Sequence, residues 1–309
     1  MIISNILRKL LASLSFYYKN KKISSKKDNK IRNEISFKIT QKKFSDKNLN
    51  KTHLEFNSHL LSILKNYQIK KFLRINFIQK MFFLHNRPFV FWELQELKKN
   101  RDWKFYQRLL IEDDVGDPVR YFLYPKSSGN QINHVYHLSV LANEMGLNLK
   151  KNVKKIFEFG GGYGCMVRIF SKINRNIRYN CFDTPNVSLL QYYYLKHNNL
   201  NVGFTKNKKI FLTSNFNKIQ KENDLFIANW SLSEAPLSFR KNFIKIIFKS
   251  KYVLISFQEK FEDIDNYDFF NKLRVKLSKK FQIRIIKNKF YKGNILFKQN
   301  HYYFLAKKL

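Results

Sequence analysis

Beyond Gly146 the chain alternates between short apolar runs and longer stretches whose apolar residues recur at helical spacing. Val153–Phe159, Ile177–Phe182, Ile210–Thr213, Leu225–Ala228, Tyr252–Phe257, Phe281–Ile286 and Tyr302–Ala306 make seven strand candidates. Strands that alternate with helices predict a parallel, doubly wound α/β sheet with both faces covered. Only Lys289 to Asn300 separate the last two candidates, so these predict an antiparallel hairpin at one edge, giving a seven-stranded, mostly parallel sheet.

Upstream the pattern differs. From His53 to Leu110 apolar residues fall at helical spacing, as in Leu60, Leu61 and Leu64 and again in Phe72, Leu73, Ile75 and Ile78, which predicts a helical region. Ser127, Ser128, Gly129 and Asn130 precede the run Ile132, Val135, Tyr136, Leu138, Val140 and Leu141, which reads as a capped helix. Lys19 to Lys51 is rich in Lys, Asn and Ser, with few consecutive apolar residues to offset the entropy of ordering, and predicts a flexible linker. Residues 1–18 mix apolar with polar positions and contain no run of the length a membrane span needs; they suit an amphipathic helix on the protein or on a membrane surface. The chain therefore divides into a basic, partly flexible segment at 1–52, a helical cap region at 53–145 and a nucleotide-fold-like domain at 146–309.

Composition changes this picture little. A formal net charge of +37 points towards anionic partners, but Lys outweighs Arg and Asn, Ile, Phe and Tyr rise with it in every segment, which reads as the codon bias of an AT-rich genome. No accessory nucleic-acid module accompanies the charge, so no specific nucleic acid is expected; the basic N-terminal region offers peripheral contact with anionic lipid. The two cysteines, Cys165 and Cys181, form neither a zinc motif nor a disulfide framework, and a reducing cytoplasm is expected. The acidic run Glu112, Asp113, Asp114, Val115, Gly116, Asp117 lacks His or Cys partners and misses the calcium-loop spacing, so it reads as a solvated loop; no metal is expected.

The chemistry concentrates at Glu158, Phe159, Gly160, Gly161, Gly162, Tyr163, Gly164, an acidic residue ending a buried strand and then glycines at alternate positions. Glycines at 160, 162 and 164 let the backbone turn tightly and approach a ligand, and the following helix offers its amides. A dinucleotide fingerprint requires a small third residue, and both registers place Cys165 or Val167 there instead. The carboxylate of Glu158 suits a cationic cofactor, S-adenosylmethionine. Asp183 ends the next strand candidate, 19 residues after Gly164, where such sheets place a carboxylate for ribose hydroxyls. The fourth strand runs into Asn229, Trp230, Ser231, Leu232, Ser233, Glu234, Ala235, Pro236, and ligands bind beyond the carboxyl ends of such strands.

On E-F-G-G-G-Y-G (158–164), F-D-T-P (182–185) with Q-Y-Y-Y-L (191–195), S-E-A-P (233–236), and V-G-D-P (115–118) with S-G-N (128–130), the chain resembles a family of bacterial sugar O-methyltransferases associated with surface-polysaccharide biosynthesis. The resemblance covers roughly the last two hundred residues. It implies a Rossmann-like class I methyltransferase fold, cofactor contacts at Glu158, Gly160, Gly162 and Asp183, and the 229–234 loop beside the transferred methyl, with Gly164, Asn229 and Trp230 completing the cofactor set. The acceptor it implies is a sugar, a nucleotide sugar or a glycan; an RNA or protein methyltransferase, or a noncatalytic protein of the same fold, are the competing readings. A sugar hydroxyl needs a general base. Glu234 is the first candidate, with a helix N-terminal carboxylate as its structural alternative. His134 and His137 follow, three residues apart on one helix face, with a purely structural role as theirs.

Overall fold

The strand candidates carry apolar residues on both faces, and only a sheet covered on both sides can bury them all. The computed structural model of the chain, which describes residues 24–41, 51–82, 89–290 and 299–309, shows this arrangement. Its N-terminal part holds helices α1 (Ser25–Gln41), α2 (Lys51–Lys65), α3 (Asn76–Met81), α4 (Phe89–Lys99) and α5 (Trp103–Leu109), with a 3₁₀ stretch at Tyr67–Arg74. A small hairpin, β1 (Arg120–Tyr121) with β2 (Tyr124–Ser128), leads into α6 (Gly129–Met145) and the short α7 (Leu149–Asn152). Then follow β3 (Lys155–Phe159), α8 (Cys165–Ile173), β4 (Arg178–Phe182), α9 (Pro185–His197), β5 (Val202–Gly203), β6 (Ile210–Thr213) and β7 (Asn223–Asn229). The chain ends with α10 (Ser231–Glu234), α11 (Leu237–Lys249), β8 (Ser250–Gln258), the hairpin β9 (Lys260–Phe261) and β10 (Ile264–Asp265), α12 (Asn266–Leu277), β11 (Phe281–Lys287) and β12 (His301–Lys308).

The main sheet has the order β11-β12-β8-β7-β3-β4-β6-β5. All neighbours pair in parallel except β12, which runs antiparallel to both β11 and β8, so the expected edge hairpin is present. All seven strand candidates form, and an eighth strand, β5, adds to them at the opposite edge. Two residues show no sequence period, which is why Val202–Gly203 escapes a reading by pattern. Side-chain alternation divides the core. Ile156, Tyr179, Leu225, Ile227 and Leu254 face α6, α8, α9 and the N-terminal helices. Phe157, Phe226, Ala228, Val253 and Ile255 face α11 and α12.

The N-terminal region is less separate than the sequence suggests, since one apolar cluster runs from Ile31 through Leu110 to Leu305. Ser128 caps α6 by accepting the Gln131 amide at 3.2 Å, and this helix packs on the sheet rather than standing apart as a cap. The linker reading of Lys19 to Lys51 is corrected over Ser25–Gln41, which is helical and docked. Ile31 and Ile35, one turn apart, are buried, and Asp28 on the same face is fully buried. The Asp28 carboxylate accepts from Tyr193 Oη at 2.6 Å and lies 3.2 Å from Lys70 Nζ. Tyr192 Oη donates to Glu34 at 2.5 Å, so two tyrosines of the 192–194 run anchor α1. Residues 1–18 lie outside the described residues.

The solvated-loop reading of the acidic run is also corrected. Asp113 takes a two-pronged hydrogen bond from Arg168 of α8, with Nε at 2.6 Å and Nη2 at 2.8 Å. Asp114 accepts from Arg120 at 2.6 Å, Arg74 reaches the Asp117 carbonyl at 2.9 Å, and buried Glu112 accepts the Ser128 amide at 2.5 Å. Arginines before, beside and after the run satisfy this acid, and the Asp113–Arg168 pair fixes α8, the helix that follows the glycine turn. Among the described residues no group of three side chains could hold a metal, and no helix is long and apolar enough to cross a membrane.

Ile35→Ala removes a fully buried side chain from the docked face of α1. The expected loss is about 2–5 kcal/mol of stability, read by chemical denaturation, with faster hydrogen exchange of the 25–41 amides than in the parent chain.

Candidate active site

The glycine turn connects β3 to α8 at the centre of the sheet, where the order reverses from β3–β4 to β3–β7. Gly160, Gly162 and Gly164 have φ of +69°, +55° and +99°, a region that side chains other than glycine seldom adopt. Space matters as much as conformation. A Cβ on Gly160 would stand 2.2 Å from Ser231 Cβ, one on Gly161 would stand 2.6 Å from both Cys181 Sγ and Glu158 Oε2, and one on Gly162 would stand 3.3 Å from Phe82. The middle glycine, which alternate spacing passes over, is therefore as constrained by contact as its neighbours. Gly160 also donates its amide to the Phe182 carbonyl at 2.8 Å, tying the turn to β4.

Beyond the turn lies a cavity of about 250 Å³. Glu158 and Asp183, at the ends of adjacent strands, are its two carboxyls on the β3–β4 side. Glu158 is buried and accepts from Tyr179 Oη at 2.8 Å; burial outweighs that bond and raises its pKa to about 8. Asp183 accepts the Thr184 amide at 2.8 Å and Gln191 Nε2 at 3.0 Å, and burial still raises it to about 7. Gln191 donates as well to the Gly162 carbonyl at 2.9 Å, so one amide of α9 joins the glycine turn to Asp183. Helix α2 is tied to the same place: Thr184 Oγ1 donates to Asn57 Oδ1 at 3.0 Å, and Asn186 Nδ2 to the Asn57 carbonyl at 2.9 Å. Phe56 and Phe82 from the N-terminal helices thereby become walls of the cavity.

On the β7 side the cavity is bounded by His134, Asn229, Trp230, Glu234 and Phe239. Trp230 has φ +59°, rare for a large side chain, and is held by its amide bond to the Ser256 carbonyl at 2.7 Å and by indole Nε1 donating to His301 Nδ1 at 3.1 Å. The following turn is fixed from beneath by Arg240, a fully buried guanidinium that donates to the Ser233 carbonyl at 2.5 Å, the Ala235 carbonyl at 2.7 Å and Asn266 Oδ1 at 2.8 Å. Burial lowers its pKa to about 10, so it stays charged at neutral pH. Glu234 is half-buried, accepts from Gln258 Nε2 at 3.4 Å, and is raised by burial to about 7.

The structure thus brings Glu158, Gly160, Gly162, Asp183, Asn229, Trp230, Glu234 and His134 around one cavity. Two sequence candidates lie elsewhere. Gly164 does not line the cavity; it precedes α8, and a Cβ there would stand 3.4 Å from Leu195. His137 is fully buried behind the wall, with the Trp230 and Tyr303 rings each 5.2 Å away, because helical spacing turns it towards the sheet. Gln191, Asn57, Phe56 and Phe82 escape sequence reasoning. Gln191 lies within a segment that the family resemblance quotes, while the other three belong to helices that carry no motif.

No family model and no curated protein matches the chain. Among solved structures it is similar to the methyltransferase domain of bacterial CtHen1, at 14% identity and TM-score 0.41 over 58% of this chain and 98% of that one. It is likewise similar to a SAM-dependent methyltransferase from Aquifex aeolicus, at 16% identity and TM-score 0.39 over 55% and 89% of the two chains. The strand order carries the fold. The architecture is a doubly wound, mostly parallel α/β sheet of the Rossmann-like kind, with an antiparallel hairpin at one edge.

The raised carboxyls make stability depend on pH. Glu158 and Asp183 ionise near their ordinary values of 4.5 and 3.8 when unfolded but near about 8 and about 7 when folded. The folded state therefore binds more protons between these values, and their contribution to stability is complete below about pH 4 and lost as pH rises through 7 to 8. Melting temperatures of the ligand-free protein are expected to fall across about pH 5 to 8, and the Glu158→Gln, Asp183→Asn double variant to show a shallower fall; an unchanged slope would contradict the assignment.

Proposed function

We propose that the chain is an S-adenosylmethionine-dependent O-methyltransferase whose acceptor is a sugar hydroxyl, in a nucleotide sugar or a glycan. The observation that carries the cofactor is the pairing of two carboxyls, Glu158 and Asp183, with a turn whose Cβ positions at Gly160 and Gly161 are already filled. A cofactor lying there meets bare backbone and two buried carboxyls, whose charged form a bound cation would favour. That combination suits a cationic aminoacyl sulfonium with a ribose and opposes a pyrophosphate, whose charge the carboxyls would repel. When bound, the cofactor supplies an electrophilic methyl on a positively charged sulfur.

The chain's own groups have a limited task, because the leaving group is already activated. Asp183, fixed by Gln191 and the Thr184 amide, presents an oxygen for ribose hydroxyls. Phe56 and Phe82 exclude water from one side of the cavity. On the other side Glu234, held near neutrality, can take a proton from a hydroxyl at physiological pH. Trp230 and Phe239 offer aromatic faces and Asn130 and His134 offer polar groups, a mixture that suits a sugar ring. The sugar reading rests on these groups together with the motif resemblance at 182–185 and 233–236; a role in surface-polysaccharide synthesis follows from that resemblance.

Calorimetric titration with S-adenosylmethionine, S-adenosylhomocysteine and NAD tests the cofactor. The first two are expected to bind and NAD not, with Asp183→Ala weakening binding by about tenfold or more, a cost of about 1.4 kcal/mol. Absence of binding by folded protein overturns the reading. Transfer of tritiated methyl to a panel of nucleotide sugars and oligosaccharides, beside total RNA, then tests the acceptor; label in RNA alone would replace the sugar with a nucleic acid.

A further inference from the structure

A second set of side chains converges on the β7 side of the cavity, around Asn229 at the end of β7. Ser256 of β8 donates its hydroxyl to Asn229 Oδ1 at 3.1 Å. That bond orients the amide, so that Asn229 Nδ2 faces His134 Nδ1 at 3.4 Å. An amide nitrogen is only a donor, so the ring nitrogen opposite it must present a lone pair, and the single ring proton of neutral His134 then resides on Nε2. A charged ring would place a proton on both nitrogens and set Nδ1–H against Asn229 N–H.

The surroundings agree. His137 lies behind, its ring 6.1 Å from that of His134, and burial pulls the pKa of His134 down to about 4. The other titratable groups on the cavity wall are Glu158 and Asp183, both held near neutrality, together with Cys165, Tyr163 and Glu234. The half-buried ring of His134 lines the cavity. His134 Nε2–H is thus a fixed donor on the wall where Glu234 offers a carboxyl acceptor.

We propose that these two groups divide the handling of the acceptor: His134, fixed as its Nε2–H tautomer through Asn229 and Ser256, donates a hydrogen bond to an acceptor oxygen, while Glu234 alone receives the hydroxyl proton. This rests on the methyl-transfer reading above. The reacting oxygen forms the new C–O bond with one lone pair, the C–S bond breaks with its electrons left on sulfur, and the hydroxyl proton passes to the Glu234 carboxylate. His134 neither gains nor loses a proton in this step. Asn229 and Ser256 are positioning residues that act through the ring, and the acceptor class is one that brings an oxygen lone pair to His134 beside a reacting hydroxyl, as a polyhydroxylated ring does.

Long-range 1H–15N spectra of protein labelled at its seven histidines test the tautomer without cofactor or acceptor, with His134→Gln identifying the resonance. The expected result is a neutral Nε2–H ring for His134 that stays neutral below pH 6. Asn229→Asp, which places an acceptor opposite Nδ1, is expected to move the proton to Nδ1. An Nδ1–H or charged ring at neutral pH in the parent protein overturns the proposal. With whichever nucleotide sugar accepts tritiated methyl, His134→Gln keeps a donor and should change mainly KM, while His134→Phe should lose both KM and kcat. Glu234→Gln should lower kcat by about 10²–10⁴-fold and erase the acidic limb near pH 7. A Glu234→Gln enzyme that keeps this limb, or a His134→Gln enzyme as inactive as Glu234→Gln, overturns the division of roles. Failure of S-adenosylmethionine to bind removes the reaction itself, whereas binding together with an Nδ1–H ring removes this division alone.

Discussion

Everything in the site depends on how little room there is around three consecutive glycines. The places where Cβ atoms would stand at 160, 161 and 162 are taken by Ser231 after β7, by Glu158 and Cys181 on β3 and β4, and by Phe82 from the N-terminal helices. Three distant parts of the chain therefore close on one stretch of backbone. The turn is a meeting point, and its lack of side chains is what lets a carboxyl, a strand end and an aromatic wall surround a single cavity. A methyl group added at Gly160 would have to move the β7–α10 junction, and so one wall of the cavity, to make room at the turn.

Around that point the chain spends buried charge on position. Asp113 with Arg168 fixes the helix after the turn, Asp28 with Tyr193 and Lys70 fixes the first described helix, and Arg240 fixes the turn below Glu234. Arg240 grips carbonyls five and seven residues before it, while the two aspartates pair with groups far off in sequence. Ion pairs of this kind add little net stability over apolar packing, yet removing one partner leaves the other stranded, which favours one arrangement over its neighbours. The same low dielectric leaves Glu158, Asp183 and Glu234 with raised pKa values and His134 with a lowered one. Architecture and proton affinity in the site thus have a common physical origin.

The sequence is most legible where periodicity is strongest. Every strand longer than three residues in the main sheet is visible as an apolar run, and the edge hairpin follows from the short connection alone. The glycine turn, Asp183 and the β7 loop are visible too, because they sit at fixed points of that alternation. What stays hidden is long-range. The helix at 25–41 carries so many Lys and Asn residues that its two buried isoleucines do not stand out, and its buried Asp28 is intelligible only beside Tyr193. The acidic run at 112–117 looks solvated until Arg168, Arg120 and Arg74 are seen around it. His134 and His137 are equivalent in sequence and separate only in space, one on the cavity and one beneath Trp230.

Arg240 has a bearing on how such a site can change over evolutionary time. Its guanidinium grips the carbonyls of Ser233 and Ala235, on either side of Glu234, and makes no demand on the side chains there. Inserting or deleting a residue between Ser231 and Pro236 would carry one of those carbonyls out of register and strand a buried cation. Exchanging the residue at 234 would leave the grip intact. The lining of this side of the cavity can therefore change by point substitution while the loop keeps its length, and the other side by changes in the N-terminal helices that wall it. In this chain those helices are where the sequence departs furthest from any pattern it resembles.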